Sequence, residues 1–344
     1  MTFPNRNHSG SGTYARSLFA ALEARDDVRP VKVSAAPGVS FAGTMSWLVR
    51  GARARLSSNP TSLLHCPTFV TPWNLPIPFV TTVLDLSTRR FPQDFPLEWR
   101  AYERLVVPGR ARAAAMVLAI SEVTRRDAIA EYGVSPDRVV TTYPGIDTMF
   151  FAPVRRAPHS RPFRLLFPGA PVARKNLDLV LRCLAAAPAG SATASAELDI
   201  SGARAESFPA VDTFIRSLGL ANRVHWLGLV ERTQMPQLMA GAAVLLYPSF
   251  YEGFGLPPLE AMAVGAPVIA SNTSCLPEVL EDAAILIDPN DARGFAEALE
   301  GILTRQDLRE RLVKAGRTQA RKFTWERCAE QTVDAYRRAL QVAA

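Results

Sequence analysis

The feature that most constrains this chain is a regular alternation of short β-rich runs with helical patterns along nearly all of its length. Ser62–Cys66, Phe79–Leu84, Ala115–Ala119 and Arg138–Thr142 form one set of candidate strands. Phe163–Phe167, Glu197–Ser201, Val224–Leu227, Ala243–Tyr247, Pro267–Ile269 and Ala284–Ile287 form a second. Helical segments such as Ser121–Tyr132, with Ser121 as its cap, lie between them. Strand–helix alternation of this kind predicts an α/β protein with parallel sheets covered on both faces. The stretch from Met149 to Pro162 carries Pro153, Pro158 and Pro162 and no usable periodicity, so the break between two doubly wound domains is expected there. The expected division is 1–152, 153–322 and a final helical segment, 323–344. Trp325, Cys328, Thr332, Val333, Tyr336 and Leu340 fall on one face of that segment, a stripe expected to pack across the domain junction.

Composition removes several classes of function. With 344 residues, 48% hydrophobic and 21% charged, the chain is neither disordered nor fibrous. No apolar stretch reaches the roughly 18 residues of a membrane span, and residues 1–12 lack the apolar core of a signal peptide, so a soluble, cytoplasmic protein is expected. Cys66, Cys183, Cys275 and Cys328 are scattered without a C-x-x-C pair and read as packing residues. The net charge of +7 is interspersed, with no basic run carrying interleaved aromatics. Nucleic acid is therefore excluded as a partner, while anionic headgroups and phosphorylated substrates stay open.

Pro248-Ser-Phe-Tyr-Glu252-Gly-Phe-Gly255-Leu-Pro-Pro-Leu-Glu260 runs from a strand end through a glycine loop into a helix. Gly253 and Gly255 permit positive φ, and a proline suits the first helical turn. Such a helix start attracts phosphate, so a diphosphate site is expected there. Glu252 and Glu260 are carboxylates placed to accept from vicinal hydroxyls of a ribose or a hexose. Gly169-Ala-Pro-Val-Ala-Arg174-Lys175-Asn176 is a second strand–loop–helix junction, and Lys175 is one of only four lysines among 39 basic residues. Two cations at a helix start oppose its dipole and need compensation; their expected work is to neutralise a diphosphate. No D-x-D pair and no His/carboxylate cluster with metal spacing occurs, so no metal site is expected. His65 and His225 fall at or in candidate strands and read as structural. Gly10-Ser-Gly12-Thr-Tyr14 leads into a helix at Thr13 but lacks the third glycine and the preceding strand of a dinucleotide fingerprint; a flexible loop explains it equally well. The first strand of the domain is missing from the sequence as read, and a start upstream of Met1 is expected to supply it.

Together these segments resemble the family-4, group 1 glycosyltransferases of GT-B architecture across nearly the whole chain: the Glu252-x7-Glu260 element, Arg174-Lys175-Asn176, the Gly10–Tyr14 loop, the Ser121–Asp147 stretch and Phe323-Thr-Trp325-Glu. The resemblance implies two Rossmann-like domains facing a cleft, retention of anomeric configuration, a nucleotide-diphosphate sugar donor held by the C-terminal domain, and a glycan or lipid-linked acceptor held by the N-terminal domain. It implies no further cofactor. Carried over by position, Glu260 binds the ribose, Glu252 the donor hexose, and Gly253, Phe254, Gly255 and Leu256 the phosphates with Arg174 and Lys175. The base is read near Gly228–Glu231, which includes Val230, and Gly12 belongs to the N-terminal glycine loop. Where the family carries His-Asp this chain has Leu84-Asp85, so Asp85 alone represents that element. The wording around Glu252 suggests mannose from GDP-mannose. Two other readings stay open at this point: a non-catalytic nucleotide-sugar-binding protein, which Leu84 motivates, and a nucleotide-sugar epimerase. Arg89, Arg90, Arg100, Arg104, Arg110 and Arg112 are either solvated side chains or the contact for a lipid-linked acceptor at the inner membrane face.

Overall fold

The computed structural model describes residues 10–33, 43, 46–51, 56, 61–73, 75–154 and 161–343. The chain divides into two compact units, one of Met1–Gly145 with Phe323–Ala344 and one of Ile146–Lys322. The break therefore falls at Gly145/Ile146, ahead of the proline-rich stretch that marks it in the sequence. Residues 1–9, which precede the Gly10–Tyr14 segment, lie outside the described residues.

In the first unit the described strands are β1 (Leu64–Cys66), β2 (Phe79–Val83), β3 (Met116–Ala119) and β4 (Val139–Thr141), all parallel and in the order β1-β2-β3-β4. β2 and β3 are buried at every position, as a strand covered on both faces must be. Helix Glu122–Tyr132 follows β3; Ser121 Oγ accepts from the Thr124 N–H at 3.1 Å, and Gly133 at φ 67° closes the other end. The last helix, Trp325–Ala343, returns to this unit and packs on helix Gly10–Glu23 and on β2 and β3. Trp325, Cys328, Thr332 and Val333 of its expected stripe are buried, but Leu340 is 39% exposed: Ala335 and Ala339 take the inward positions nearer the end of the helix. His65 lies between Tyr336 and Thr82, with Nδ1 2.6 Å from the Tyr336 hydroxyl and Nε2 2.8 Å from Thr82 Oγ1. All four cysteines are free and buried.

One contact in this unit fixes a residue type. A Cβ on Gly145 would lie 2.1 Å from the Trp325 backbone nitrogen and 2.4 Å from the Thr324 carbonyl carbon, and neither atom belongs to a side chain that can turn away. Gly145→Ala is expected to cost about 2–3 kcal/mol, the scale of overpacking a tight contact. A thermal melt of the purified variant checks this; an unchanged midpoint would mean that the backbone at 324–325 does not press on Gly145.

The second unit holds a six-stranded parallel sheet of β5 (Arg164–Pro168), β6 (Glu197–Ser201), β7 (Val224–Gly228), β8 (Val244–Tyr247), β9 (Val268–Ser271) and β10 (Ile285–Ile287). Its order is β10-β9-β8-β5-β6-β7. Leu165, Phe167, Leu198, Ile200, Val244, Leu246 and Ile269 form its core with helices Leu177–Ala185 and Ala292–Thr304. The chain leaves β5 in one direction through β6 and β7 and resumes on the other side at β8. Strand order thus reverses between β5 and β8, and in open α/β sheets the loops leaving the carboxyl ends of the strands at such a point are where ligands bind.

Among the described residues, no helix is long and apolar enough to cross a membrane.

Candidate active site

The two sequence segments rich in chemistry leave β5 and β8, the strands at that reversal. β8 ends at Tyr247, the loop 248–255 follows, and helix Leu256–Val264 starts with Gly255 at φ 95° as its cap and a proline in its first two positions. The positive φ of Gly255 requires glycine, and a Cβ there would also press on the end of the Leu276 side chain, 2.8 Å from its Cδ2. From β5 the chain turns through Gly169 at φ 99°, makes a single 3₁₀ turn over Ala173–Lys175, and enters helix Leu177–Ala185 through Asn176 at φ 56°. The Asn176 Nδ2 donates to the Pro289 carbonyl at 2.8 Å. The loops are tied directly, since the Phe250 N–H donates to the Arg174 carbonyl at 2.8 Å.

Arg174, Lys175 and Glu252 come together as one cluster. Lys175 Nζ lies 2.6 Å from Glu252 Oε1, and Arg174 Nη1 lies 3.1 Å from the same oxygen. Lys175 also donates to the Tyr247 hydroxyl at 2.7 Å and stands 4.4 Å from the centre of that ring. The compensation that two cations at a helix start require is therefore supplied by Glu252, across the reversal point. Glu252 is only 8% exposed. Burial pushes its carboxyl up, but Lys175 and Arg174 outweigh burial and hold it below its ordinary range, so it is ionised at neutral pH. Two cations against one carboxylate leave a local positive charge beside the start of helix Leu256–Val264, whose dipole adds to it. The Glu252 backbone is held by Ser274, which accepts from its N–H at 3.2 Å and donates to its carbonyl at 2.6 Å, and by Cys275 Sγ at 3.2 Å from that carbonyl.

Glu260, 3% exposed and one turn into the helix, has a separate partner. Arg232 Nη2 lies 2.6 Å from Glu260 Oε1 and 2.7 Å from Asp147 Oδ2. Burial raises the Glu260 carboxyl above its ordinary range, and Arg232 offsets only part of that rise. Val230 lies just before Arg232, past the end of β7.

Sequence reasoning named both glutamates and both cations but not the partners that Tyr247, Ser274 and Arg232 provide; only the position of Arg232 beside 228–231 hinted at its place. One expectation changes in the first unit. Gly10–Tyr14 is not a loop: helix Gly10–Glu23 already includes Gly12, which is buried in its first turn, because Tyr14, Ala15 and Leu18 bury the helix face it starts. Asp85, just past β2, is engaged locally, its Oδ1 accepting from the Ser87 N–H at 2.8 Å and the Ser87 hydroxyl at 2.5 Å. The described residues hold no group of three or more His, Cys, Asp or Glu that could bind a metal ion.

Comparison with known proteins gives the family. Residues 153–319 match the family described as Glycosyl transferases group 1, and residues 9–150 match Glycosyltransferase Family 4. The O-antigen chain mannosyltransferase B of Escherichia coli is 31% identical over 80% of this chain and 74% of its own length. The D-inositol 3-phosphate glycosyltransferases of Paenarthrobacter aurescens and Thermobifida fusca, each 31% identical over 69% and 61% of this chain, are spanned over 60% and 52% of their own length. Among solved structures, a sucrose-phosphate synthase from Thermosynechococcus elongatus superposes with a TM-score of 0.79 at 22% identity, covering 98% of this chain and 94% of that one. The Anabaena protein HepE, solved in complex with UDP and glucose, superposes with a TM-score of 0.76 at 17% identity over 98% of both chains. With a parallel-sheet Rossmann-like fold in each unit and both of its halves matched, the chain belongs to the group 1 glycosyltransferases of the GT-B fold.

Proposed function

We propose that this glycosyltransferase is a retaining, metal-independent hexosyltransferase that moves mannose from GDP-mannose to a hydroxyl of a glycan or lipid-linked acceptor. The observation that carries the reading is the Arg174–Lys175–Glu252 cluster, with Lys175 and Glu252 buried and Arg174 half-buried, beside the start of helix Leu256–Val264. A donor diphosphate lies against the backbone of Gly253, Phe254, Gly255 and Leu256, with Arg174 and Lys175 neutralising the charge that grows as the sugar departs. Glu252 accepts from the hexose hydroxyls, Glu260 from the ribose, and the segment around Val230 meets the base. Asp85, past the end of β2, and Gly12 are the acceptor-unit residues of this scheme. The acceptor hydroxyl attacks from the side the diphosphate leaves, and a donor phosphate oxygen takes its proton, so no side-chain nucleophile takes part. Stabilising the leaving diphosphate is then the main source of rate. Support for mannose comes from the wording around Glu252 and from the E. coli mannosyltransferase relative. Residues 1–152, with 17 basic and 12 acidic side chains, are matched to an anionic acceptor surface, with peripheral contact at the inner membrane face.

Transfer and hydrolysis assays with GDP-mannose, UDP-glucose and UDP-N-acetylglucosamine test the donor. GDP-mannose is expected to turn over at least about tenfold better, the discrimination that one well-placed set of hydrogen bonds supplies. A preference for either UDP-sugar would overturn the mannose assignment, and thermal stabilisation by donors without product from any of them would favour a binding protein.

A further inference from the structure

Arg232 belongs to none of the sequence motifs, yet it is the residue on which the surroundings of Glu260 converge. It opens the 3₁₀ turn Arg232–Gln234, directly after the segment that follows β7. Its Nη2 meets Glu260 Oε1 at 2.6 Å, its Nη2 and Nε meet Asp147 Oδ2 at 2.7 and 3.1 Å, and its guanidinium carbon lies 4.6 Å from the centre of the Phe150 ring. Three separate stretches of the second unit thus fix one guanidinium: the turn after β7, residues 147–150 and helix Leu256–Val264.

We propose that Arg232 is a positioning residue for donor binding: it keeps Glu260 ionised and turned so that the carboxylate can accept from the ribose diol, while Asp147 and Phe150 hold Arg232 in place. The proposal rests on the reading of Glu260 as the ribose-binding group. The charged groups facing Glu260 are Arg232, which lowers its affinity for a proton, and Asp147, which raises it; burial raises it most. Without the guanidinium, burial and Asp147 act unopposed and the carboxyl takes up a proton at a higher pH. A protonated carboxyl spends one oxygen as a donor and is a weaker acceptor, so it cannot take two hydroxyls as an ionised one does. Arginine suits the position because a planar fork can meet two carboxylates at once, as it does here. Direct reading of the nucleotide base by Arg232 fits less well, since Nε and Nη2 are already committed to carboxylates.

The experiment measures binding of GDP and UDP, each beside its 2′,3′-dideoxy counterpart, by calorimetry between pH 7 and 9 for wild type and for Arg232→Met, Arg232→Lys, Asp147→Asn and Glu260→Gln. The ratio between ribose and dideoxyribose forms isolates the diol from the phosphates. Arg232→Met is expected to lose about tenfold of that ratio at pH 7 and to lose less as the pH rises, as an unopposed buried carboxyl ionises. Arg232→Lys should restore part of the ratio at pH 7, and Asp147→Asn should reduce it less than Arg232→Met. A merely structural role would change the melting temperature and leave the ratio independent of pH. The proposal is overturned if Arg232→Met keeps the wild-type ratio at every pH, or if its loss is the same at pH 7 and 9. Should Arg232→Met not fold, Arg232→Lys and Asp147→Asn carry the same test, and a wild-type ratio in both overturns it. If Glu260→Gln itself keeps the wild-type ratio, the ribose reading of Glu260 fails first; if Glu260→Gln loses it and the arginine variants do not, only the role of Arg232 falls.

Discussion

Replacing Lys175 by methionine should lower kcat about 10²- to 10³-fold, the cost of removing one preorganised group that stabilises developing charge. Methionine keeps most of the length and volume of lysine, so the contact with the Tyr247 ring survives while the ammonium beside Glu252 is lost. On the proposed scheme that charge counts most as the diphosphate departs, so kcat should fall more than the apparent donor affinity. A second sign accompanies it. Lys175 is the stronger of the two cations that pull the Glu252 carboxyl down, so without it that carboxyl titrates at higher pH. The acid limb of the activity profile should therefore move upward in the variant. Lys175→Arg should not restore the rate, because a planar fork cannot replace a point charge held between a ring and a carboxylate. Single-turnover kinetics at saturating donor decide the matter, and a rate within about threefold of wild type would remove Lys175 from the leaving-group role assigned through the usual cost of such a loss.

Glu252→Gln should separate sugar from nucleotide. Hydrogen bonds to a charged acceptor are worth about 1.5–3 kcal/mol, so donor affinity should fall roughly 10- to 100-fold. Free nucleoside diphosphate should bind as well as to wild type or better, because Arg174 and Lys175 lose the carboxylate that now neutralises them. Calorimetry with GDP-mannose and GDP on the same preparation gives both numbers, and an equal loss for the two ligands would sink the hexose role of Glu252. In the wild-type protein the Glu252 carboxyl lies below its ordinary 4.5 and the Glu260 carboxyl above it. Acidification from neutral pH therefore protonates Glu260 first. Contributions from the Glu252 ion pairs persist to lower pH and disappear only as pH passes below its depressed value.

Every strand segment expected from the alternating pattern corresponds to a strand, from Leu64–Cys66 to Ile285–Ile287. Burial on both faces writes a near-continuous apolar run into central strands such as Met116–Ala119 and Val244–Tyr247, whereas Val224–Gly228 and Ile285–Ile287, at the sheet edges, are only partly buried and were legible from their place in the alternation. The glycine-flanked junctions carrying Arg174, Lys175, Glu252 and Glu260 were readable for a similar local reason: a positive φ at Gly255 and a proline in the first helical turn leave marks in the sequence. The exceptions have local causes too. Gly10–Tyr14 looks like a loop by composition, yet Tyr14, Ala15 and Leu18 gain enough burial to draw its glycines into a helix. Leu340 continues the stripe of the last helix by spacing alone, but small residues occupy the buried face there.

What the sequence determined by itself was the alternation, the fold class and the identity of the charged groups at each strand end. Pairing was decided only in three dimensions. Lys175 and Glu252 are far apart along the chain, and they meet because β5 and β8 are sheet neighbours whose following loops converge. Arg232 reaches Glu260 from a turn beyond β7 and is held there by Asp147, a residue on the far side of β5 in the chain. The physical reason is that a buried charge must be matched by another, and residue spacing cannot say which of many arginines supplies it. That choice belongs to strand order, which sets the loops that come within ion-pair distance.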